Sequence, residues 1–103
     1  MSPIRVLVVD DHMVVRQGLH MIANTEPTIE IVREASNGRQ ALHQVAILSP
    51  DVVLMDLVMP QSDGIAATAT IKQDYPNTKI IVLTTFSEED KIQAALEAGA
   101  DGY

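Results

Sequence analysis

Apolar residues along this chain fall into two alternating kinds of run. "IRVLVV" (Ile4 to Val9) is continuous and rich in β-branched residues, the mark of a strand buried on both faces. After "DDH", the segment "MVVRQGLHMIAN" places apolar positions at 14, 15, 18/19, 22 and 23, close to a helical period. Asp10 or Asp11 is positioned to cap that helix. "TIEIVRE" (Thr28 to Glu34) alternates and reads as a strand with one wetter face. "NGRQALHQVAILSP" opens with a turn and continues as a helix that Pro50 stops. "DVVLM" is the third strand, and "DGIAATATIKQDYP" the third helix, again closed near a proline. "KIIVLT" (Lys79 to Thr84) is a fourth buried strand, and "SEEDKIQAALEAGA" a fourth helix. Ser87 is its expected N-cap, acids in its first turn suit the helix dipole, and Gly99 is its C′ residue.

Strands alternating with helices imply parallel pairing and right-handed crossovers. The fold expected is α/β, a doubly wound parallel sheet with helices on both faces. In such sheets ligands bind outside the carboxyl ends of the strands, near the point where strand order switches.

Composition narrows the picture without redirecting it. The chain has 103 residues, the size of one domain, and no linker, repeat or low-complexity segment divides it. No cysteine is present, which excludes a disulfide framework and thiolate metal sites. No signal-peptide pattern appears, and the apolar runs are far shorter than a membrane span; a soluble, cytoplasmic protein is expected. Seven Lys and Arg against fourteen Asp and Glu give a formal net charge of −7. This stretch is therefore not expected to grip a phosphate backbone itself.

The run "VVLMDLVMP" (Val52 to Pro60) carries a single carboxylate, Asp56, among apolar residues. An ionised side chain is costly to bury without a partner or a metal. The first strand ends at Asp10 and Asp11, the third at Asp56 and the fourth at Thr84 and Thr85. If strands one and three are neighbours, three carboxylates converge, with Asp56 at the lip of its strand. Like charges so close raise one another's pKa unless a cation joins them. Oxygen ligands, without Cys or an organised His, select a hard cation, foremost Mg2+. Beside such an ion Asp56 can act as ligand or as nucleophile toward a phosphoryl group, with Thr84 bonding a phosphoryl oxygen. His12, His20 and His43 are scattered and are not expected to bind metal, although His12 borders the acidic pocket. The methionines read as packing residues. Thr85 carries no expected role.

"VLVVDDH", "DVVLMDLVMPQSDG", "IVLTTF" and "EAGADGY", in this order and spacing, resemble the receiver domain of two-component response regulators over the whole chain. The resemblance implies a flavodoxin-like fold with strand order 2-1-3-4-5. It implies that Asp56 accepts a phosphoryl group from the phosphohistidine of a sensor histidine kinase. Asp10 and Asp11 would hold Mg2+ together with Asp56 and the backbone carbonyl of Val58. Thr84 would be the switch hydroxyl and Tyr103 the switch aromatic, and Met59-Pro60 and Gly64 fit the turn after the phosphorylation site. Such a domain turns over no free metabolite; it accepts a phosphoryl group and hydrolyses it slowly. "DDHMVVRQGL", "LTTF" and "AGADGY" are similar to the subgroup that precedes a LuxR-type helix-turn-helix output domain, which implies homodimerisation on phosphorylation and DNA binding through that further domain.

The sequence ends at Tyr103, three residues before the position where the family carries a Lys. Residues 1–103 are therefore expected to be a C-terminally incomplete receiver domain, with strand five and helix five largely missing, strand four an open edge, and phosphoryl chemistry weakened by the missing cation. Two rivals fail on spacing. A phosphatase of the haloacid dehalogenase type needs a second Asp two residues after the first, where this chain has His12. A nucleotide-binding module needs a Gly-rich first turn, which "VVDDHMVVRQG" lacks. A receiver-like docking module that works without phosphorylation is the alternative left open.

Overall fold

The computed structural model describes residues 2–59, 63–84 and 89–103. Its elements follow the order read from the hydrophobic pattern: β1 (Ile4–Val9), α1 (Met13–Ala23), β2 (Ile29–Ala35), α2 (Gly38–Leu48), β3 (Val52–Asp56), α3 (Asp63–Asp74), β4 (Lys79–Leu83) and α4 (Glu89–Glu97). The strands form one parallel sheet in the order β2-β1-β3-β4. The expected order 2-1-3-4-5 thus holds for its first four strands. Among the described residues the fifth is represented by a single bridge, Ile81 to Gly102. Asp101 N–H donates to the Ile80 carbonyl at 2.8 Å and Val82 N–H to the Gly102 carbonyl at 2.9 Å, so the outer edge of β4 is partly paired.

One face of the sheet holds the main core. Leu7, Val9, Val53, Met55, Ile80 and Val82 pack there against Ala41 and Val45 of α2, Ala67 and Ile71 of α3, and Ala95 of α4. Each is fully or almost fully removed from water, so truncating one of the larger side chains costs about 2–5 kcal/mol. The opposite face is thinly covered. No residue of α1 is buried, and its apolar Met13, Val14, Met21 and Ile22 are all more than 60% exposed.

Local chemistry sets the element ends. Asn37 caps α2, its side chain accepting the Gln40 N–H at 2.8 Å. At the other end of α2, Ser49 adopts the left-handed conformation (φ 45) just before Pro50. Helix α4 ends in a Schellman motif: Gly99, at φ +113, donates to Leu96, and Ala100 to Ala95. Glu89 and Asp90 occupy its first turn, as expected; the N-cap assigned to Ser87, like Pro60 and Thr85, lies outside the described residues.

Two expectations need correction. Neither Asp10 nor Asp11 caps α1. The N-cap is His12, in extended conformation and without a side-chain capping bond, because the aspartates are held at the sheet end instead. Strand β2 does not show a regular wet-and-dry alternation either. It pairs only with β1, and the register skips Val32 between Val6–Ile31 and Leu7–Arg33, an irregularity that interrupts the two-residue period.

Candidate functional site

Strands β1 and β3 run side by side, and their last paired residues are Val9 and Met55. The next residue of each, Asp10 and Asp56, therefore leaves the sheet next to the other. Asp10 N–H is anchored on the Ala35 carbonyl of β2 at 3.0 Å, and the Asp10 carbonyl accepts from Arg16 Nη1 at 2.6 Å. Arg16 reaches on to Glu34 (Nε to Oε1, 2.7 Å), tying α1 to β2 across the mouth of the site.

Four side chains meet there. Asp10, Asp11, His12 and Asp56 each offer one ligand atom, and these atoms lie within 4.8 Å of one another. His12 Nδ1 stands 3.0 Å from Asp10 Oδ1 and 2.9 Å from Asp11 Oδ1. Asp10 Oδ1 also accepts the backbone N–H of His12 at 2.8 Å, so a tight turn directs the imidazole back over the carboxylates.

Asp56 sits deeper than the lip position expected of it, with only 5% exposure. It is the last residue of β3, and the chain turns back over it so that Val58 N–H donates to Oδ1 at 2.8 Å. Its other oxygen, Oδ2, is buried with no hydrogen-bond partner among the described residues. Burial pushes the Asp56 carboxyl up from its ordinary value of 3.8; the Val58 N–H draws it back, while the charges of Asp10 and Asp11 push it further up. His12 moves upward from 6.5, mainly through its hydrogen bond to Asp10 and then the charge of Asp11. Burial leads the Asp56 shift and neighbouring carboxylates lead the His12 shift; the carboxylates contribute to both in the direction a bound cation would oppose. Gly64 closes the far wall: a Cβ there would collide with the Asp56 carbonyl oxygen.

The other expected site residues lie along β4. Asp56 pairs in register with Leu83, and Leu57 N–H donates to the Leu83 carbonyl at 3.1 Å. Thr84 follows immediately. It lines an open groove of about 620 Å3 together with Leu83, Glu89, Ile92, Leu96 and Tyr103. Tyr103 is 74% exposed. The structure thus brings Asp10, Asp11 and Asp56 together, and places Thr84 with Tyr103 in a neighbouring groove. Val58 meets Asp56 through its N–H. Sequence reasoning set His12 beside the acidic pocket without a ligand role, and the structure brings its ring against Asp10 and Asp11. It gave no role to Arg16, whose contact with the Asp10 carbonyl has a signal in spacing: Arg16 lies one helical turn beyond the acid pair.

Comparison with known proteins identifies the family and the fold. The model of the response regulator receiver domain matches residues 6–103. The chain is 49% identical over 100 residues to the transcriptional regulatory protein LiaR of Bacillus subtilis, covering 97% of this chain and 47% of LiaR. It is 42% identical over 101 residues to the response regulator protein VraR of Staphylococcus saprophyticus, covering 98% and 48%. The chain spans about half the length of these curated relatives. Among solved structures, a LuxR-family two-component response regulator from Aurantimonas superposes with a TM-score of 0.90 at 35% identity, over 99% of this chain and 73% of that one. The signal receiver domain of the putative response regulator NarL from Mycobacterium tuberculosis gives 0.90 at 30%, over 99% and 82%. This chain therefore belongs to the response regulator receiver domain family, among receivers of the LuxR type.

Proposed function

We propose that this chain is the phosphoacceptor part of a two-component transcriptional regulator, with Asp56 as the acceptor. The observation that carries the reading is the buried, unpartnered Oδ2 of Asp56 at the meeting point of two further carboxylates. A strand-end carboxylate costs stability in this setting unless a cation or a covalent group joins it.

The donor set fits a hard divalent cation. Asp10, Asp11 and Asp56 would hold Mg2+, with the Val58 carbonyl as a further oxygen ligand. Bound there, the ion supplies charge neutralisation for an incoming phosphoryl group. This chain's own residues do the rest. A carboxylate oxygen of Asp56 attacks phosphorus; the new P–O bond forms as the P–N bond of a kinase phosphohistidine breaks, and the departing imidazole takes up a proton. Thr84, at the end of the adjoining strand, is the hydroxyl placed to follow the phosphoryl oxygens, and Tyr103 shares its groove. The domain then favours one of two conformations of the β4–α4 region, promoting dimerisation and DNA binding by an output domain. The product is a modified protein, with no turnover of a free metabolite. No helix among the described residues is long and apolar enough to cross a membrane, which suits a cytoplasmic regulator.

Intact mass before and after incubation with acetyl phosphate and Mg2+ tests this. One added phosphoryl group, absent in Asp56→Asn, is expected. Addition that persists in Asp56→Asn would move the acceptor elsewhere. A folded wild-type chain that gains nothing with Mg2+ bound would favour a docking role without phosphorylation. Asp11→Ala is expected to weaken Mg2+ binding; unchanged affinity would remove Asp11 from the site.

A further inference from the structure

A nitrogen atom stands among the oxygens of the acidic pocket. His12 Nδ1 lies as close to Asp10 and Asp11 as those carboxylates could approach a shared ion's other ligands, 3.0 and 2.9 Å. All four candidate donor atoms fit within 4.8 Å. Two ligands on opposite sides of one small divalent ion stand about 4.2 Å apart, twice a bond of roughly 2.1 Å. The cluster is thus within a small side-chain adjustment of enclosing a single cation. Crowded acids alone would not argue for a metal, but Asp56 adds an independent sign: it is 95% buried and its Oδ2 has no partner among the described residues.

The backbone holds the imidazole in place. His12 N–H is bonded to Asp10 Oδ1, Asp10 is anchored on β2, and His12 is the N-cap from which α1 departs. The ring is 59% exposed, so it can turn between its carboxylate partners and a bound ion without disturbing the core.

We propose that His12 is a fourth metal ligand, through Nδ1, which releases to solvent the proton it now shares with the carboxylates as the ion binds, and that it shifts the site's preference from Mg2+ toward borderline divalent cations such as Co2+ and Zn2+. Imidazole nitrogen adds little for Mg2+, which prefers oxygen, and much for later first-row ions. The inference rests on the metal-dependent reading above and deepens it by naming the residue that sets metal choice.

The test compares wild type with His12→Gln by calorimetric titration with Mg2+ and Co2+, and by proton NMR of the Co2+-loaded protein. The expected result is a preference for Co2+ over Mg2+ that falls about tenfold or more in His12→Gln, in line with the loss of a nitrogen donor. The Co2+ wild type should also show an exchangeable, hyperfine-shifted resonance from the Nε2–H of the bound ring, lost in the variant. Equal preference in both proteins, or a Co2+ form without that resonance, overturns the inference while leaving the Mg2+ site standing. Failure of the wild type to bind either ion overturns the parent reading as well. Retained circular dichroism in His12→Gln separates ligand loss from unfolding.

Discussion

Replacing Asp56 with Asn should make the protein more stable. The wild-type carboxylate is 5% exposed, satisfies one oxygen with Val58 N–H at 2.8 Å, and leaves Oδ2 without a partner among the described residues. Burial raises its pKa above 3.8, and Asp10 and Asp11 add to the rise. The folded state therefore binds this proton more tightly than the unfolded chain does. Stability from this group is greatest at low pH and falls as pH climbs from 3.8 through the raised folded value, so the full penalty applies at neutral pH. Asn keeps an oxygen for Val58, carries no charge, and offers an N–H to the neighbouring carboxylates. Relieving a poorly compensated buried polar group is worth about 1–3 kcal/mol. In a domain of this size each kcal/mol moves Tm by about 4–8 °C. Thermal unfolding by circular dichroism, without divalent cations, should show a higher Tm for Asp56→Asn at pH 7 and a smaller difference at pH 4. Mg2+ at ten times its Kd should then stabilise the wild type by about 1.4 kcal/mol and the variant by less. An Asp56→Asn protein no more stable than wild type at pH 7, or a gain indifferent to pH, would refute the reasoning.

Further predictions concern the walls of the site and the ends of the elements. Gly64→Ala drives a methyl group into the Asp56 carbonyl oxygen and should cost about 1–3 kcal/mol in urea denaturation while displacing the loop after β3. Asp101→Ala removes the acceptor of Ile80 N–H (2.9 Å) and one of the three acceptors of Lys72 Nζ (3.0 Å), a loss of about 1–2 kcal/mol at pH 7. Burial alone would raise the Asp101 carboxyl, but the Ile80 N–H and Lys72 outweigh it and hold it below 3.8. Its contribution is accordingly present above 3.8 and lost as pH falls through the depressed folded value, so the wild-type advantage over Asp101→Ala should vanish in acid. Asn37→Ala leaves the Gln40 N–H uncapped and should cost about 1 kcal/mol, measurable as a lower urea midpoint at unchanged slope.

The alternation of strand and helix was legible because each apolar run has its own period and its own stop, Pro50 and Gly99 being the plainest. The convergence of Asp10, Asp11 and Asp56 was legible too, since parallel strands put their carboxyl ends on one side. Depth was harder to read. A strand-end position says nothing about how far the following loop folds back, and that loop takes Asp56 below the surface. Periodicity likewise shows that α1 has an apolar stripe but not whether anything covers it; Val14 is 79% exposed. His12 was legible as a neighbour of the acidic pocket, but how close its ring comes to the carboxylates depends on a turn around Asp10, a backbone feature that residue types alone do not announce. The skipped residue in β2 is of the same kind: Val32 looks like any other strand residue until the pairing is seen.

Surplus charge at the sheet end also explains why chemistry at Asp56 would be felt elsewhere. Asp56 closes β3, and the residue after it is bonded to the carbonyl of Leu83, the last residue of β4. Gly64, at the start of α3, is pressed against the Asp56 carbonyl with no space to yield. An added phosphoryl group brings about −1.5 to −2 further charge to a site already crowded with carboxylates. The main-chain contacts around Asp56 leave little freedom on the β3 and α3 sides, where packing is close. Among the described residues, the open side is the groove of Thr84, Glu89 and Tyr103, where Tyr103 is mostly exposed and α4 buries only Ala95. Of the elements that these main-chain contacts join to β3, α3 buries Gly64, Ala67, Thr68 and Ile71 whereas α4, beyond β4, buries only Ala95, so rearrangement driven from Asp56 should run toward β4 and α4 rather than into α3.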